Sequence, residues 1–278
     1  VVASVDPDGH VFRWTRTGGA QDLGATGYDA YGCCGSGYYG GTYVTGINSR
    51  GDIVGNSGSG SAGYAVSFIA YGSASTLTML HSPSPDYPYN PPPRAEIHLG
   101  GVNIQVNAIN DSGVVVGTYW DFGYIYSGYA ISQGGFFNAV VHNSHAFKWT
   151  STGGFTDLGN LGASFLIPGS PATFGASANA INSSGTIVGY SYLPAGYYGA
   201  FIYDPATGLT QLASLNVGDN GSNATGINDD GVVVGYANQT GSAVMWIHGV
   251  PTNLTPSFAP QYPGSPLIKG SRIAGNGL

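Results

Sequence analysis

Charge is the scarcest property of this 278-residue chain. Only 8 % of its residues are Asp, Glu, Lys or Arg, against about 25 % in ordinary globular domains. Lys148 and Lys269 are the only lysines, Glu96 is the only glutamate, and the formal net charge is −7. Helix surfaces draw on Lys, Glu and Arg, so this composition excludes a helical bundle. The shortage of cations also leaves no basic patch for nucleic acid.

Long apolar runs are missing as well. No stretch approaches the roughly 18 residues of a membrane-spanning helix, and no signal peptide is present, so we expect a mature chain without a membrane span. Cysteine is limited to one adjacent pair. Glycine and tyrosine are abundant, with 47 and 20 residues. Because 42 % of the residues are hydrophobic, the chain has enough apolar side chains for a core, which argues against disorder.

One string recurs four times along the chain. The copies are TGINSRGDIVG (45–55), NAINDSGVVVG (107–117), NAINSSGTIVG (179–189) and TGINDDGVVVG (225–235). Each predicts a strand ending at Ile-Asn, a tight turn and a second strand of β-branched residues. The asparagine is expected to cap the turn with its side chain, and the glycine three residues later to supply a positive φ.

A second string follows each first one at a variable distance. Its copies are YAVSF (64–68), HAFKW (145–149), GAFIY (199–203) and SAVMW (242–246), with a further copy, HVFRW (10–14), near the N-terminus. Alternation along these third strands predicts that Phe12, Val66, Phe147, Phe201 and Val244 are equivalent positions on one face. A fourth strand then ends in AQDLG (20–24), TMLH (78–81), FTDLG (155–159), TQLA (210–213) or TNLT (252–255). Four short strands per repeat, stacked radially, are typical of a β-propeller.

The chain ends predict the number of blades. Ile273 lies 46 residues after Ile227, the same interval as from Ile181 to Ile227. We therefore expect strand 270–277 to complete a blade with Val1–Ala3 and the strands that follow, which closes a single five-bladed domain. The predicted blades are 270–278 plus 1–24, 44–80, 106–159, 178–212 and 224–254.

These strings resemble the HAF-type extracellular repeat, which is named for the His-Ala-Phe found here at His145-Ala146-Phe147. The upstream Ile-Asn-x-x-Gly-x-Val-Val-Gly belongs to the same resemblance, which covers the strand cores along the whole chain. It implies a secreted or cell-surface protein of a bacterium or archaeon. It carries over no catalytic residue, and its motif residues are expected to be scaffold.

All length variation falls in two kinds of connection. Those after the second strand are 56–63, 118–144, 190–198 and 236–241, and those after the fourth strand are 25–43, 81–105, 160–177, 213–223 and 255–270. In a blade of four antiparallel strands both kinds emerge on one face, which we call the insertion face. The opposite face, with its tight turns, is called the turn face. Loops on a rigid scaffold commonly bind ligands, so the insertion face is the predicted binding face.

The insertions are rich in aromatic residues and poor in charge. Tyrosine combines a large apolar area and a polar tip with little entropy loss on binding, although long loops also use such side chains to pack themselves. The candidate binding residues are Tyr28, Tyr31, Cys33, Cys34, Tyr38, Tyr39, Tyr119, Trp120, Tyr124, Tyr126, Tyr197 and Tyr198.

Cys33 and Cys34 are the only cysteines and are adjacent in sequence. In an oxidising compartment we expect them to form a vicinal disulfide, because exposed thiols are a liability outside the cell. Two free thiols, or bridges to another copy of the chain, remain alternatives. The ring would pin its loop, present a ligand platform or act in redox chemistry.

Signals for catalysis and metal binding are weak. The carboxylates in the insertions are Asp29, Asp86, Glu96 and Asp121, among which a glycosidase pair is possible. No nucleophile elbow follows a strand and precedes a helix. His142 and His145 would diverge across a strand, and a site made by His81, His98 and Glu96 is a minor alternative. We predict no enzyme activity, no metal site and no cofactor.

The resulting functional prediction is an extracellular, non-catalytic β-propeller that acts as a surface binding or assembly module through its insertion face. A subunit of an extracellular filament or coat fits this description, because little charge keeps copies apart. The expected partners are other copies of the chain or surface glycans. A carbohydrate-binding, lectin-like protein is the alternative, and a carbohydrate-active hydrolase on a five-bladed propeller stands third.

Overall fold

The structure, a computed structural model, describes residues 1–26, 41–59, 64–80, 104–130, 135–162, 175–216 and 221–258, without the side chains at 59, 64–66 and 121–143. Across these ranges the chain is all-β, as predicted. Its strands form five antiparallel sheets, and the helix observed among them is one turn at Thr255–Phe258.

The sheets follow one another along the chain, and in each the strands pair in chain order. Sheet 1 contains β1 (Val2–Val5), β2 (His10–Thr15) and β3 (Gly19–Ala25). Sheet 2 contains β4 (Tyr43–Ile47), β5 (Ile53–Ser59), β6 (Tyr64–Ala70) and β7 (Thr78–Leu80). Sheet 3 contains β8 (Ile104–Ile109), β9 (Val115–Ala130), β10 (Gly135–Thr150) and β11 (Gly154–Asp157). Sheet 4 contains β12 (Ala176–Ile181), β13 (Ile187–Tyr192), β14 (Tyr198–Asp204) and β15 (Gly208–Gln211). Sheet 5 contains β16 (Ser222–Ile227), β17 (Val233–Ala237), β18 (Ala243–Ile247) and β19 (Val250–Asn253).

The first strands of sheets 2 to 5 surround a central cavity of about 520 Å³. Successive first strands contact one another, β4 with β8, β8 with β12 and β12 with β16. On its remaining side the cavity is lined by Val1–Ala3. Sheets that radiate from a common centre are the arrangement of a β-propeller. The number of blades in a closed ring stays a prediction, because the expected closing strand 270–277 lies outside the described residues.

The predicted asparagine-capped turn is confirmed in all four copies of the first recurring string. Asn110 Oδ1 accepts hydrogen bonds from the backbone N–H groups of Ser112 (3.1 Å) and Val114 (2.9 Å). Asn48, Asn182 and Asn228 cap their turns in the same way. The turn glycines have φ between 78° and 87°, a region that L-residues with a Cβ rarely adopt. The motif therefore encodes the turn locally.

The same asparagines also tie neighbouring sheets together. Asn48 Nδ2 donates to the carbonyl oxygen of Asn110 (3.0 Å), Asn110 to that of Asn182 (3.0 Å) and Asn182 to that of Asn228 (3.2 Å). We call these four buried residues the asparagine belt. Each of these hydrogen bonds joins residues at least 46 positions apart in the sequence. The side chain of each donating asparagine therefore serves its own turn and also a contact with the next sheet.

The pairing of sheet 2 corrects one predicted alignment. Gly117 of β9 faces Phe147, and the equivalent Gly55 of β5 faces Phe68, not Val66. The third-strand string of sheet 2 is therefore displaced by two residues, with Phe68 at the Phe147 position. Phe68, Phe147 and Phe201 are all fully buried. Because the displacement is by two residues, positions 66 and 68 share the same face of the strand. The alternation of apolar residues alone therefore cannot distinguish the two alignments.

Sheet 1 also corrects a predicted alignment. The predicted continuation of Gly277-Leu278 into Val1-Val2-Ala3, aligned on 231–235, would put Val1 at the Val233 position. Instead Val2 pairs with Trp14 just as Val233 pairs with Trp246, so β1 is the equivalent of a second strand and Val2 stands at the Val233 position. Val2 is 56 % exposed, whereas Val233 is 1 % exposed. In the described residues β1 has a partner strand on one side only.

A glycine missing from β1 bears on the predicted closure. In β5, β9, β13 and β17 one glycine lies so close to the first strand that a Cβ there would collide with a backbone carbonyl oxygen. Ser4 takes this position in β1, since it faces Phe12 as Gly117 faces Phe147. A strand 270–277 that paired with β1 in the same bulged way would therefore clash with Ser4.

Side chains between neighbouring sheets form the core. Val54 and Ile69 of sheet 2 pack in one cluster with Val106 of sheet 3. Val188 of sheet 4 packs with the fully buried Trp246 of sheet 5. The repeated pattern of β-branched second strands and aromatic third strands thus supplies the apolar surface by which one sheet covers the next.

Candidate functional site

Sheet 3 differs from the other sheets by the length of its central hairpin. β8 pairs with β9 as far as Tyr119, and β11 pairs with β10 only from Phe147 onward. Beyond Tyr119 and His145 the two central strands continue as a two-stranded ladder to Ala130 and Gly135. We call the segments 120–130 and 135–144 the arm. The prediction that connection 118–144 is a loop is therefore wrong for most of its length, because its residues pair as strands.

The pairing assigns the positions of the arm to two sides of the ladder. Backbone register, with one irregularity between Val140 and Val141, puts positions 120, 122, 125, 127 and 129 opposite 144, 142, 140, 138 and 136. These positions belong to one side of the ladder. They include Trp120, Phe122, Ile125, Tyr129 and Phe136. The arm thus extends the insertion face with a ladder whose sequence is aromatic on this side.

The base of the arm contains a three-residue cluster. His145 Nδ1 lies 3.1 Å from Asp157 Oδ2, and the Tyr119 hydroxyl donates to the same oxygen at 3.0 Å. The rings of Tyr119 and His145 stack with centroids 4.6 Å apart. Burial opposes ionisation of Asp157, but the hydrogen bonds from His145, the Gly159 N–H and Tyr119 outweigh it and lower the pKa of this carboxyl group.

The His–Asp contact recurs in sheet 1. His10 Nδ1 lies 2.9 Å from Asp22 Oδ2, and this hydrogen bond raises the pKa of His10. Each aspartate also accepts a hydrogen bond from the glycine N–H two residues later. The other three sheets lack both partners and have Val66 with Met79, Gly199 with Gln211, and Ser242 with Asn253 at these positions. The His–Asp pair therefore has a structural role: it links the third strand of its sheet to the fourth strand.

A tyrosine cluster lies next to the arm base, at the insertion-face end of sheet 4. The ring of Tyr198 makes edge-on contacts with Tyr190 (centroids 5.1 Å apart) and Tyr192 (5.3 Å). Tyr198 is 42 % exposed, and burial raises the pKa of Tyr190. We call Tyr190, Tyr192 and Tyr198 the tyrosine cluster.

Gly175 connects the tyrosine cluster to the arm. Gly175 forms a parallel β-bridge with Ser144, the residue before His145. A Cβ at Gly175 would lie 3.2 Å from Ser144 Oγ and 3.2 Å from the Tyr198 ring. The absence of a side chain at this position lets β12, the arm and Tyr198 approach one another. The arm base and the tyrosine cluster thus form one continuous surface.

The predicted binding residues fall into three groups. Tyr119, Trp120, Tyr197 and Tyr198 are described, partly or largely exposed, and lie on the insertion face. Tyr124 and Tyr126 lie on β9 in the arm, where their side chains are not described. Tyr28, Tyr31, Cys33, Cys34, Tyr38 and Tyr39 lie outside the described residues, so the vicinal disulfide stays a prediction.

Four residues of this surface were not among the predicted binding residues: Tyr190, Tyr192, His145 and Asp157. Two signals could have found them. Tyr190 and Tyr192 follow the repeat glycine at alternate positions of one strand. His and Asp occur together in two repeats and are both absent from the other three, which indicates a contact.

The described side chains contain no group of three or more His, Cys, Asp or Glu residues that could hold a metal ion. No helix in the described ranges is long and apolar enough to cross a membrane. Of the carboxylates considered for glycoside hydrolysis, Asp29, Asp86 and Glu96 lie outside these ranges, and Asp121 is described only as backbone.

No model of a known protein family matches this chain, and no curated protein sequence matches it. Among solved structures it is similar to the lectin of the fungus Aleuria aurantia, described as a six-bladed β-propeller with a novel fucose recognition mode. The similarity covers 92 % of this chain and 78 % of the lectin at 12 % identity, with a TM-score of 0.35. At these values it decides neither the number of blades nor the ligand.

Proposed function

We propose that this chain is a non-catalytic, extracellular binding and assembly module that associates with other copies of itself through the insertion face. The observation that carries the proposal is the contrast between the two faces. The turn face is closed by short hydrogen-bonded turns, whereas the insertion face carries the arm, its base and the tyrosine cluster, in which Tyr198 is exposed. Exposed aromatic residues that gather on one face mark an interaction surface.

Low charge favours association between identical copies. Like charges on two copies repel, and only 8 % of the residues are charged. On the insertion face, Asp22 and Asp157 are each engaged with a histidine, and Asp6 in the β1–β2 turn accepts backbone hydrogen bonds from Asp8 and His10. Asp8, in the same turn, is exposed. Little electrostatic work therefore opposes the approach of two such faces.

Glycan binding is the second candidate, and the tyrosine cluster favours it. Sugar rings have apolar faces with hydroxyl groups around them, and tyrosine offers an aromatic surface next to a hydroxyl group. Tyr198 exposes such a ring beside two further tyrosines. This candidate requires a ligand in solution and no contact between copies.

Sedimentation velocity over a range of concentrations tests the proposal, with Tyr198→Ser and Trp14→Ser as a matched pair. Trp14 is similarly exposed (47 %) but lies at the other end of its blade, beside the β2–β3 turn. We expect concentration-dependent association of the natural chain, weakened by Tyr198→Ser and unchanged by Trp14→Ser.

A natural chain that stays monomeric at every concentration would reject self-assembly. Retention of that monomer on a polysaccharide panel, lost in Tyr198→Ser, would then establish the glycan candidate. Turnover of a glycan by the purified protein would contradict the non-catalytic part of the proposal.

A further inference from the structure

In the part of the chain that the structure describes, no strand pairs along either outer edge of the arm. β8 and β11 cover the central hairpin only up to its base, so beyond it the ladder has two strands. In the described ranges the single strand contact to the arm from outside is the bridge between Ser144 and Gly175. Each free edge carries alternating N–H and C=O groups, which form a template for pairing with another strand.

An isolated two-stranded ladder of this length is marginally stable in water. Its sequence offers no charged surface to compensate, because Asp121 is the only charged residue between Trp120 and Ser144. Seven of these 25 residues are aromatic. Such a sequence gains free energy when both faces of the ladder are covered.

The arm is large enough to form most of one side of a stable interface. Ten residue pairs at about 3.3 Å each give a length of roughly 33 Å, and two faces about 10 Å wide have a combined area of about 700 Å². A standard protein interface buries about 800 Å² on each partner. The arm alone approaches this value, so its partner needs a surface of comparable length.

This chain itself carries surfaces that match the arm. The outer strands β3, β7, β11, β15 and β19 each have one edge without a partner strand in the described part of the chain. Most residues of β3 and half of those of β11, β15 and β19 are exposed. A second copy therefore offers free backbone edges to which an arm can add as a strand.

We infer that the arm docks on a second copy of this chain, where it pairs with an outer strand of a sheet and buries its aromatic residues. This inference rests on the proposed self-assembly and names the segment that carries it. Arm and acceptor are different surfaces, so the contact is heterologous, and each copy can give one arm and accept another. Such a contact propagates into a ring or an open filament.

The chain supplies the template for a clean test. In sheet 5 the equivalent hairpin turns within Asn238-Gln239-Thr240-Gly241. Replacing residues 120–144 with this tetrapeptide removes the arm but keeps Tyr119, His145 and Asp157. We expect the shortened chain to sediment as a monomer at concentrations where the natural chain assembles, with an unchanged circular dichroism minimum for β-structure.

Point variants keep the test decisive if the shortened chain does not fold. Trp120→Lys combined with Ile125→Lys places two charges on one side of the ladder, and Gln239→Lys in the short hairpin of sheet 5 is the control. We expect at least a tenfold weaker association for the double variant and no change for the control. In the natural chain, arm amides should exchange hydrogen slowly only at concentrations where it assembles.

The outcomes separate the two proposals. Equal assembly of the natural, shortened and double-variant chains would overturn the role of the arm and leave self-assembly standing. A natural chain that is monomeric throughout would overturn both. Arm amides that are protected in the monomer would show that the arm is covered by its own chain and would also overturn the inference.

Discussion

The turn face and the insertion face are opposite ends of the same strands, but they are stabilised in different ways. At the turn face Asn48, Asn110 and Asn182 each use one side chain for their own turn and for a link to the next sheet. At the insertion face, in the part of the chain that the structure describes, the side-chain contacts differ from sheet to sheet: the His–Asp pair occurs in sheets 1 and 3, and the stack of Tyr119 on His145 belongs to sheet 3. Repetition thus supports the scaffold, while the candidate binding surface comes from departures from it.

A second contrast lies within the scaffold, between Arg13 and its equivalents. Arg13 is 3 % exposed and donates to the carbonyl oxygens of Gly72 and Ala74, both at 3.0 Å, and of Tyr71 at 2.5 Å. At the equivalent position sheet 5 has Met245. Sheet 1 is thus attached to sheet 2 by charge-assisted hydrogen bonds at the end of β6. In sheet 3 the equivalent Lys148 donates to the Tyr203 hydroxyl of sheet 4, whereas sheets 2 and 4 have Ile69 and Ile202 at this position.

The substitution with the largest expected effect, Gly189→Ala, tests the close packing of the first strand against the second strand. In Gly189→Ala the new Cβ would collide with the carbonyl oxygen of Ser177. We expect a loss of more than about 3 kcal/mol of unfolding free energy, or failure to fold. Gly41→Ala, with no atom within 4 Å of the new Cβ, is the control. Urea unfolding measures the stability of both variants. Equal stability would show that the first and second strands are not packed as closely as described.

An intermediate effect is expected for Arg13→Met, which copies the side chain found in sheet 5. The substitution leaves several carbonyl oxygens at the end of β6 without their donor, so we expect a loss of about 2 kcal/mol. Arg16→Met, in the exposed β2–β3 turn, should change the unfolding midpoint little. Hydrogen exchange adds a local readout, since amides of sheet 1 should lose protection first. Unaltered protection there would argue against the link between the sheets.

The smallest expected effect is on the stability that Asp157 at the arm base contributes, and this contribution depends on pH. Asp157 has a lowered pKa, so its ionised form stabilises the fold above the unfolded-state pKa of about 3.9, and this contribution is lost as pH falls through the folded pKa. Asp157→Asn should cost about 1 kcal/mol near pH 7, a value kept small because the side chain is 44 % exposed.

The same variant should flatten the acid side of the stability profile. Thermal unfolding between pH 3 and pH 7 measures this, with Asp230→Asn, exposed in a turn, as the control. Sheet 5 has Asn253 at the equivalent position, so the amide fits there without a steric cost. An acid dependence that is identical in the natural chain and Asp157→Asn would refute the assigned contact.

Several parts of the fold followed from short segments of sequence. Asn110 and Gly113 predicted their turn because the residues that form it are at most four positions apart. The register of sheet 2 did not follow, since Val66 and Phe68 are both apolar and satisfy the same alternation. Only pairing with Gly55 distinguishes them.

The candidate site was predicted less well than the fold. Tyr198 was identified from its place in an insertion, but its cluster with Tyr190 and Tyr192 was not, because these residues extend a strand that was predicted to end earlier. The arm was predicted as a loop, since tyrosine and glycine occur along its whole length and mask the period of a strand. Its ladder depends on pairing between segments whose sequences are not individually distinctive.

The sequence by itself determined the repeats, the turns and the all-β class, because backbone conformation responds to side chains a few residues away. The tertiary structure alone decided which carbonyl each belt asparagine reaches, which strand faces Phe68, and how far the arm extends. Those contacts join residues up to 72 positions apart. They depend on the packing of whole sheets, where many apolar alternatives of similar local preference compete and close packing selects one.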